Sequence, residues 1–347
     1  MRLVKEDKDK AQKEYEIYKK ESEEFAGKTY RISDEIIHPK LESLEKIYGV
    51  CDALSIKNAD KTRSIILYLS ILGTLLTLVF LLYDEAELHL LIIICIVNII
   101  LLDYFQRQAN KLECHRKYLQ YRVLAETVRV QFYLSASGIS KPATSILPWF
   151  SEKAIPWINK VIVPPPVLLQ NEKISILDFW VLNQKEYHYN KLLEEKEKLK
   201  HDRRIAKIVL GVTIATYIIA LIFELYVFFY NVNEINLNVL GEILNMLQNN
   251  GIMIGYTQMD MIRSILKIVI GTMSAATLFT GSYYKKISLS DSIENHRRMI
   301  HLYVEAEEKI GNNPKNDEMI LDLAKEYLIE NSIWYAYQNQ NRPEIVY

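Results

Sequence analysis

The chain has 347 residues, half of them hydrophobic, and 42 Lys and Arg balance 43 Asp and Glu to a formal net charge of −1. Four stretches, 64–83, 88–102, 208–230 and 268–284, hold almost no charge, and nearly all of the charge lies in the remainder. That segregation excludes an ordinary two-domain soluble enzyme, a disordered chain and a disulfide-stapled secreted domain, and the near-neutral balance gives no field to draw in nucleic acid.

In chain order, residues 5–24 are dominated by Lys, Glu and Asp. With no apolar core they are not a signal peptide, and they read as a solvated helix or a helical partner surface. A lead-in helix is expected over about 33–60. Ser64–Tyr83 then supplies 20 residues without a charge, the length that crosses about 30 Å of hydrocarbon. Leu88–Leu102 is shorter and reaches through Phe105 if Asp103 lies at the interface. The acidic Asp84–Glu87 between them makes a tight antiparallel hairpin. Lys57, Lys61 and Arg63 precede it, and Arg107, Lys111, Arg116 and Lys117 follow it. The positive-inside rule therefore puts both ends in the cytoplasm and the acidic tip outside.

Six of the nine prolines fall in 135–172, interleaved with Trp149, Phe150 and Trp157. Three of them are consecutive and cannot continue a helix, so this segment is a stiff, packed or interfacial connector. A second lead-in helix is expected over about 175–204, followed by the span 208–230, interrupted only by Glu224. The fourth run is the weakest. It becomes long enough when extended back to Ile262, which brings in Arg263 and Lys267. Residues 231–262 contain Glu234, Glu242 and Asp260 but no Lys or Arg, so a second hairpin with cytoplasmic ends follows. The expected fold is an all-α integral membrane protein: four transmembrane helices as two hairpins, long cytoplasmic helices, and both termini in the cytoplasm.

The two segments that leave the hairpins match. Residues 113–126 read ECHRKYLQYRVLAE and residues 294–307 read ENHRRMIHLYVEAE. Their common distance from the membrane points to duplication of one unit. The expected units are 1–165, with spans 64–83 and 88–105, and 166–347, with spans 208–230 and 262–284.

Polar residues in apolar runs are the natural candidates for function. Glu224 and Lys267 lie at similar depth from the outer end and are expected to pair. The alternatives for Glu224 are lining a pore or water cavity, or snorkelling to the interface. Arg263, Asn98 and His89 complete the intramembrane set, and Asn98 is expected to bond across a helix interface. Gly211/Ala215 and Gly271/Ala275 allow close helix approach. On the exit helix Arg122, Glu126 and Arg129 share one face. They form either an ordinary charge ladder or a cytoplasmic layer that binds a partner or an anionic messenger. Arg116 beside the span, and His296, Arg297, Arg298 and Glu307 in the second copy, join that set. His115, His188 and His296 read as surface or packing residues, without metal spacing. Cys51, Cys95 and Cys114 form no CxxC pair. No phosphate-cradling or hydrolytic motif occurs, so neither an enzyme nor a cofactor is expected.

The chain resembles the SLATT superfamily, two-span effector domains associated with SMODS nucleotidyltransferases and SLOG nucleotide-binding domains in bacterial conflict systems. The resemblance lies in FWVLNQKEYHYNKLLEEKEKLKHDRRI (179–205), the tight hairpin, YRVLAETVRVQFYL (121–134), ENHRRMIHLYVEAEEKI (294–310) and LAKEYLIENSIWYAYQNQNRP (323–343). It covers most of residues 30–347, as two tandem units. It implies a homo-oligomeric effector of antiphage defence in the bacterial inner membrane that forms or opens a pore, or disrupts the membrane, when a nucleotide second messenger is sensed. The chain departs from a self-sufficient sensor in having no fused nucleotide-binding domain, which implies a separate nucleotide-sensing or nucleotidyltransferase partner. The other class compatible with the sequence is a non-conducting membrane scaffold that recruits a cytoplasmic partner through charged helices.

Overall fold

The computed structural model describes residues 2–25, 31–32, 38–86, 88, 90–163, 177–230, 258–287, 289–312 and 317–340, and every regular element among them is helical. The helices are α1 (Arg2–Glu23), α2 (Glu42–Glu85), α3 (Leu91–Leu112), α4 (Cys114–Ala136), α5 (Trp149–Ala154), α6 (Ile158–Val161), α7 (Asn183–Tyr230), α8 (Gln258–Ile287), α9 (Leu289–Asn312) and α10 (Asp317–Gln340). A 3₁₀ turn lies at Ala143–Ser145, and a π turn at Leu177–Leu182 leads into α7. Among the described residues four helical stretches are long and apolar enough to cross a membrane: Glu42–Glu85, Leu91–Ala136, Leu177–Val227 and Asp260–Gly311.

Several boundaries differ from those expected. Among the described residues the first lead-in helix begins at Glu42, after a turn in which Pro39 disfavours helix at His38, and residues 33–37 lie outside the described residues. Helix α2 runs on through Asp84 and Glu85, and α3 starts at Leu91 rather than 88. Two of the acids assigned to a connection, Asp84 and Glu85, therefore extend the helix by about half a turn. Helix α8 begins at Gln258, earlier than the run of apolar residues. Between α3 and α4 stands a single residue, Glu113, at φ 48° and ψ 33°. This left-handed conformation ends one helix and lets the next begin at once; a side chain with a Cβ there costs about 1–2 kcal/mol.

The chain packs into two compact units, and each draws on segments from both halves of the sequence. One comprises 1–62, 113–197 and 289–344, and the other 63–112, 198–288 and the terminal 345–347. The physical reason is burial. Segments from both halves of the sequence are needed to enclose one polar-containing core, while the apolar runs from both halves pack with one another.

The first unit is built around α4. From Leu119 to Ala136 every α4 residue except Arg122 is buried. Tyr18 of α1 packs beside Tyr121 and stacks on Trp157 of the connector, with ring centroids 5.1 Å apart in the second pair. Trp180 stacks on Tyr133 at 4.8 Å and 5°, and Tyr303 of α9 and Tyr327 of α10 pack on each other. The connector is thus packed at Trp157, whereas Trp149 is exposed. Pro164, Pro165 and Pro166 lie outside the described residues.

The second unit holds the apolar parts of α2, α3, α7 and α8. Its helices present large aliphatic residues outward: Ile93, Ile96 and Ile100 on α3, and Ile218, Leu221 and Ile222 on α7 are exposed. Contacts between α7 and α8 run antiparallel, from Thr213–Thr277 through Tyr217–Ser274 to Glu224–Arg263. Those between α2 and α8 do likewise, from Gly73–Phe279 through Leu81–Gly271 to Glu85–Lys267. Gly73 and Gly271 are needed here because the Phe279 ring and the Leu81 side chain occupy the space of a Cβ. Gly211, by contrast, has open space around its missing side chain.

Candidate functional site

In the second unit four charged residues of the apolar helices, Glu85, Glu224, Arg263 and Lys267, meet at one end. Arg263 grips Glu224 with two hydrogen bonds, Nε to Oε1 at 2.9 Å and the terminal nitrogen to Oε2 at 3.0 Å. The bidentate geometry is the strong form of a carboxylate–guanidinium pair. Lys267 donates instead to Glu85, at 3.0 Å, and the Ser264 hydroxyl adds a further bond to the same carboxylate at 3.0 Å. The expected Glu224–Lys267 pair is therefore corrected to two pairs, Glu224–Arg263 and Glu85–Lys267. Counting depth along the sequence misplaced Lys267 by one helical turn, about 6 Å along α8. On α8, residues 263 and 267 are one turn apart, and Glu85 meets the second because α2 continues to that level. Glu85 was missed for that reason: it read as part of a turn.

Deeper in the bundle the polar contacts are hydroxyls. Thr213 and Thr277 meet at 2.8 Å, Thr213 also donates to the Met273 carbonyl at 3.2 Å, and Tyr217 and Ser274 meet at 3.1 Å. Asn98 is buried on α3, with neither amide atom bonded among the described residues, so its expected bond across a helix interface is not made there. His89 lies outside the described residues.

The first unit holds a second cluster, and here the sequence expectation changes character. Glu126 and Arg129 do not lie on a solvent-facing ladder; both are buried. Glu126 pairs with Arg122 at 2.7 Å and Arg129 at 2.6 Å, and it accepts a hydrogen bond from the Tyr327 hydroxyl of α10. Arg122 also reaches Asp52 of α2 at 3.0 Å. Arg129 donates to the Tyr48 hydroxyl of α2 and to Gln184 of α7 at 3.3 Å. Two guanidiniums and two carboxylates balance, as a buried charged group requires. Burial pushes the Glu126 carboxyl up, but Arg122, Arg129 and the Tyr327 hydroxyl outweigh it and hold it below the usual range. Burial likewise opposes the charge on Arg129, and Glu126 with the tyrosines restores it well above the ordinary value.

His188, read as a bland aromatic neighbour, is buried beside this network. Its Nδ1 lies 2.8 Å from Nδ1 of His296, whose Nε2 lies 3.7 Å from Glu195. Tyr303 stacks on the His188 ring. Burial first, and then the neighbouring His296, push the His188 imidazole down to about 3. Tyr48, Asp52, Gln184, His188 and Tyr327 are thus partners that the pattern within α4 alone does not disclose.

The other expected ligand residues sit nearer the surface. Arg116 pairs with Glu14 at 2.8 Å and with Glu113. Arg297 pairs with Glu294 at 2.8 Å on an exposed face, Arg298 is exposed, and Glu307 pairs with Lys185. No group of three or more His, Cys, Asp or Glu suited to a metal ion occurs among the described residues. Comparison with protein-family models, curated proteins and solved structures finds no match to this chain.

Proposed function

We propose that the chain is a multi-pass integral membrane protein of the bacterial inner membrane. Its second unit forms two transmembrane hairpins, and its first unit lies in the cytoplasm with both termini. The carrying observation is the outward display of large aliphatic side chains on α2, α3, α7 and α8, with paired charges at one end of the bundle. In water such a surface drives aggregation; in hydrocarbon it is the low-energy face, and ionisable groups there are retained when paired.

Within that frame the sequence resemblance to SLATT effectors supports a role in nucleotide-signalled antiphage defence. The chain acts as a homo-oligomer, without enzymatic chemistry or cofactor, and forms or opens a pore when a separate nucleotide-sensing or nucleotidyltransferase protein signals. The Glu224–Arg263 and Glu85–Lys267 pairs hold the bundle closed, and their separation accompanies opening.

Membrane potential in cells expressing the chain with its genomic neighbours tests this. Activation depolarises cells carrying the wild-type chain, and Glu224→Gln or Arg263→Gln alters the extent or threshold of depolarisation. Unchanged potential during activation, with recruitment of the signalling partner intact, establishes the scaffold instead. The mutual neutralisation of these four charges within one chain favours that second reading.

A further inference from the structure

We infer that the second unit binds one acyl chain of an anionic membrane phospholipid in a groove between α2 and α8. The inference rests on the membrane-spanning reading and goes beyond it, since a bundle surrounded by lipid needs no particular lipid site.

The groove has a volume of about 430 Å³ and is walled by Leu67, Thr74 and Leu78 on α2, and by Ala276, Phe279 and Tyr283 on α8. Its α2 wall spans residues 67–78, which at 1.5 Å per residue is about 16 Å. That is roughly half of the 30 Å hydrocarbon core, the depth of one leaflet. Two hydroxyls of this wall are already used: Ser70 donates to the Ile66 carbonyl at 2.9 Å and Thr74 to the Ser70 carbonyl at 3.1 Å. What they offer a ligand is hydrocarbon.

The two ends of the groove differ. At one end Ile205, Tyr283 and Tyr284 close the lining. The residues next to them in sequence are basic: Arg203 and Arg204 before Ile205, and Lys285 after Tyr284, all exposed. Three exposed cations and one neighbouring carboxylate, Asp202, beside paired tyrosines suit a phosphate headgroup at the membrane interface. The end at Leu78 is apolar. A molecule with a phosphate at one end and a chain about one leaflet long matches this polarity; a peptide helix from another copy matches the width but not the charge at one end.

The test uses the full chain in nanodiscs with trace phosphatidylglycerol or phosphatidylcholine carrying a diazirine on the acyl chain, and adducts mapped by mass spectrometry. The exposed face of α3 at Ile93, Ile96 and Ile100 serves as the bulk-lipid reference. Groove adducts on 67–78 and 276–284 are expected several-fold above that reference, with at least a threefold preference for phosphatidylglycerol. Leu75→Trp and, independently, Ala276→Trp fill the groove and lower its adducts at least fivefold, while α3 adducts persist and report that the chain is folded and inserted. Neutralising Arg203, Arg204 and Lys285 to Gln abolishes the headgroup preference. Groove labelling no higher than on α3, labelling indifferent to headgroup, or protection of the groove by cross-links between copies each overturns the lipid site. Absence of adducts on α3 and groove alike instead overturns the membrane reading beneath it.

Discussion

The two units invert each other's surfaces. Around α4, charged Glu126 and Arg129 are inside the core, screened by aromatic rings from α2, α7, α9 and α10. In the other unit Ile93, Ile100 and Ile218 are outside, and the charges of the helices meet one another. A single rule covers both. Each unit places its side chains according to the medium on the far side, and unpaired charge is avoided wherever water is scarce. The same Glu–Arg chemistry therefore does different work: in the first unit it links four helices into one core, and in the second it joins neighbouring apolar helices at one end.

The largest expected effect breaks the first core. Glu126→Leu leaves Arg122 and Arg129 buried against a single carboxylate, Asp52, and costs about 3–5 kcal/mol. Urea or thermal unfolding of the first unit measures it. Glu224→Gln, in the pair at the end of the second unit's bundle, is expected to cost less, because Arg263 can reach the interface from there. Equal losses in the two variants would abolish the contrast between the units.

The next effect sharpens the packing of the apolar bundle. Gly73→Val forces the Phe279 ring off the α2 backbone and costs about 1–3 kcal/mol, seen as a lower melting temperature in detergent. Gly211→Ala, where a Cβ meets nothing, leaves the melting temperature within error. The two glycines thus separate a packing role from a merely small residue on the surface.

The third effect concerns pH and belongs to the first unit alone. The His188 imidazole titrates near 3 in the folded chain, below its unfolded value of about 6.5. The unfolded chain therefore binds the proton first, and stability present above about pH 6.5 is lost progressively as the pH falls toward 3. Between pH 6.5 and 5 the loss amounts to about 2 kcal/mol. His188→Gln is expected to flatten this part of the profile in urea titrations at each pH. A slope unaltered by the substitution would show that other groups carry the acid sensitivity.

The two exit helices show how far sequence alone reaches. Residues 113–126 and 294–307 match closely, yet α4 is buried nearly all round while α9 buries one stripe, Met299, Tyr303, Ala306 and Ile310. Glu126 is enclosed, whereas its counterpart Glu307 meets Lys185 with much of its side chain in solvent. Helical content and the four apolar runs were legible, since each depends on residues close together in sequence; the packing of Trp157 on Tyr18, distant in the chain, was not decided by them. The partners of the site were not. Glu85 looked like a turn residue, and His188 gave no spacing signal because its partner, His296, lies 108 residues away.

Sequence by itself determined where the long apolar helices are, because the length of an uncharged run and its flanking charge are local properties. Only the tertiary structure decided which charges are buried and with whom they pair. Whether Glu126 faces water depends on Tyr48, Gln184 and Tyr327 arriving from three other helices. Whether Glu224 meets Lys267 or Arg263 depends on the axial register of α8 against α7 and α2, in which one turn is about 6 Å. Burial and register are set by neighbours distant in the chain, and no local pattern encodes them.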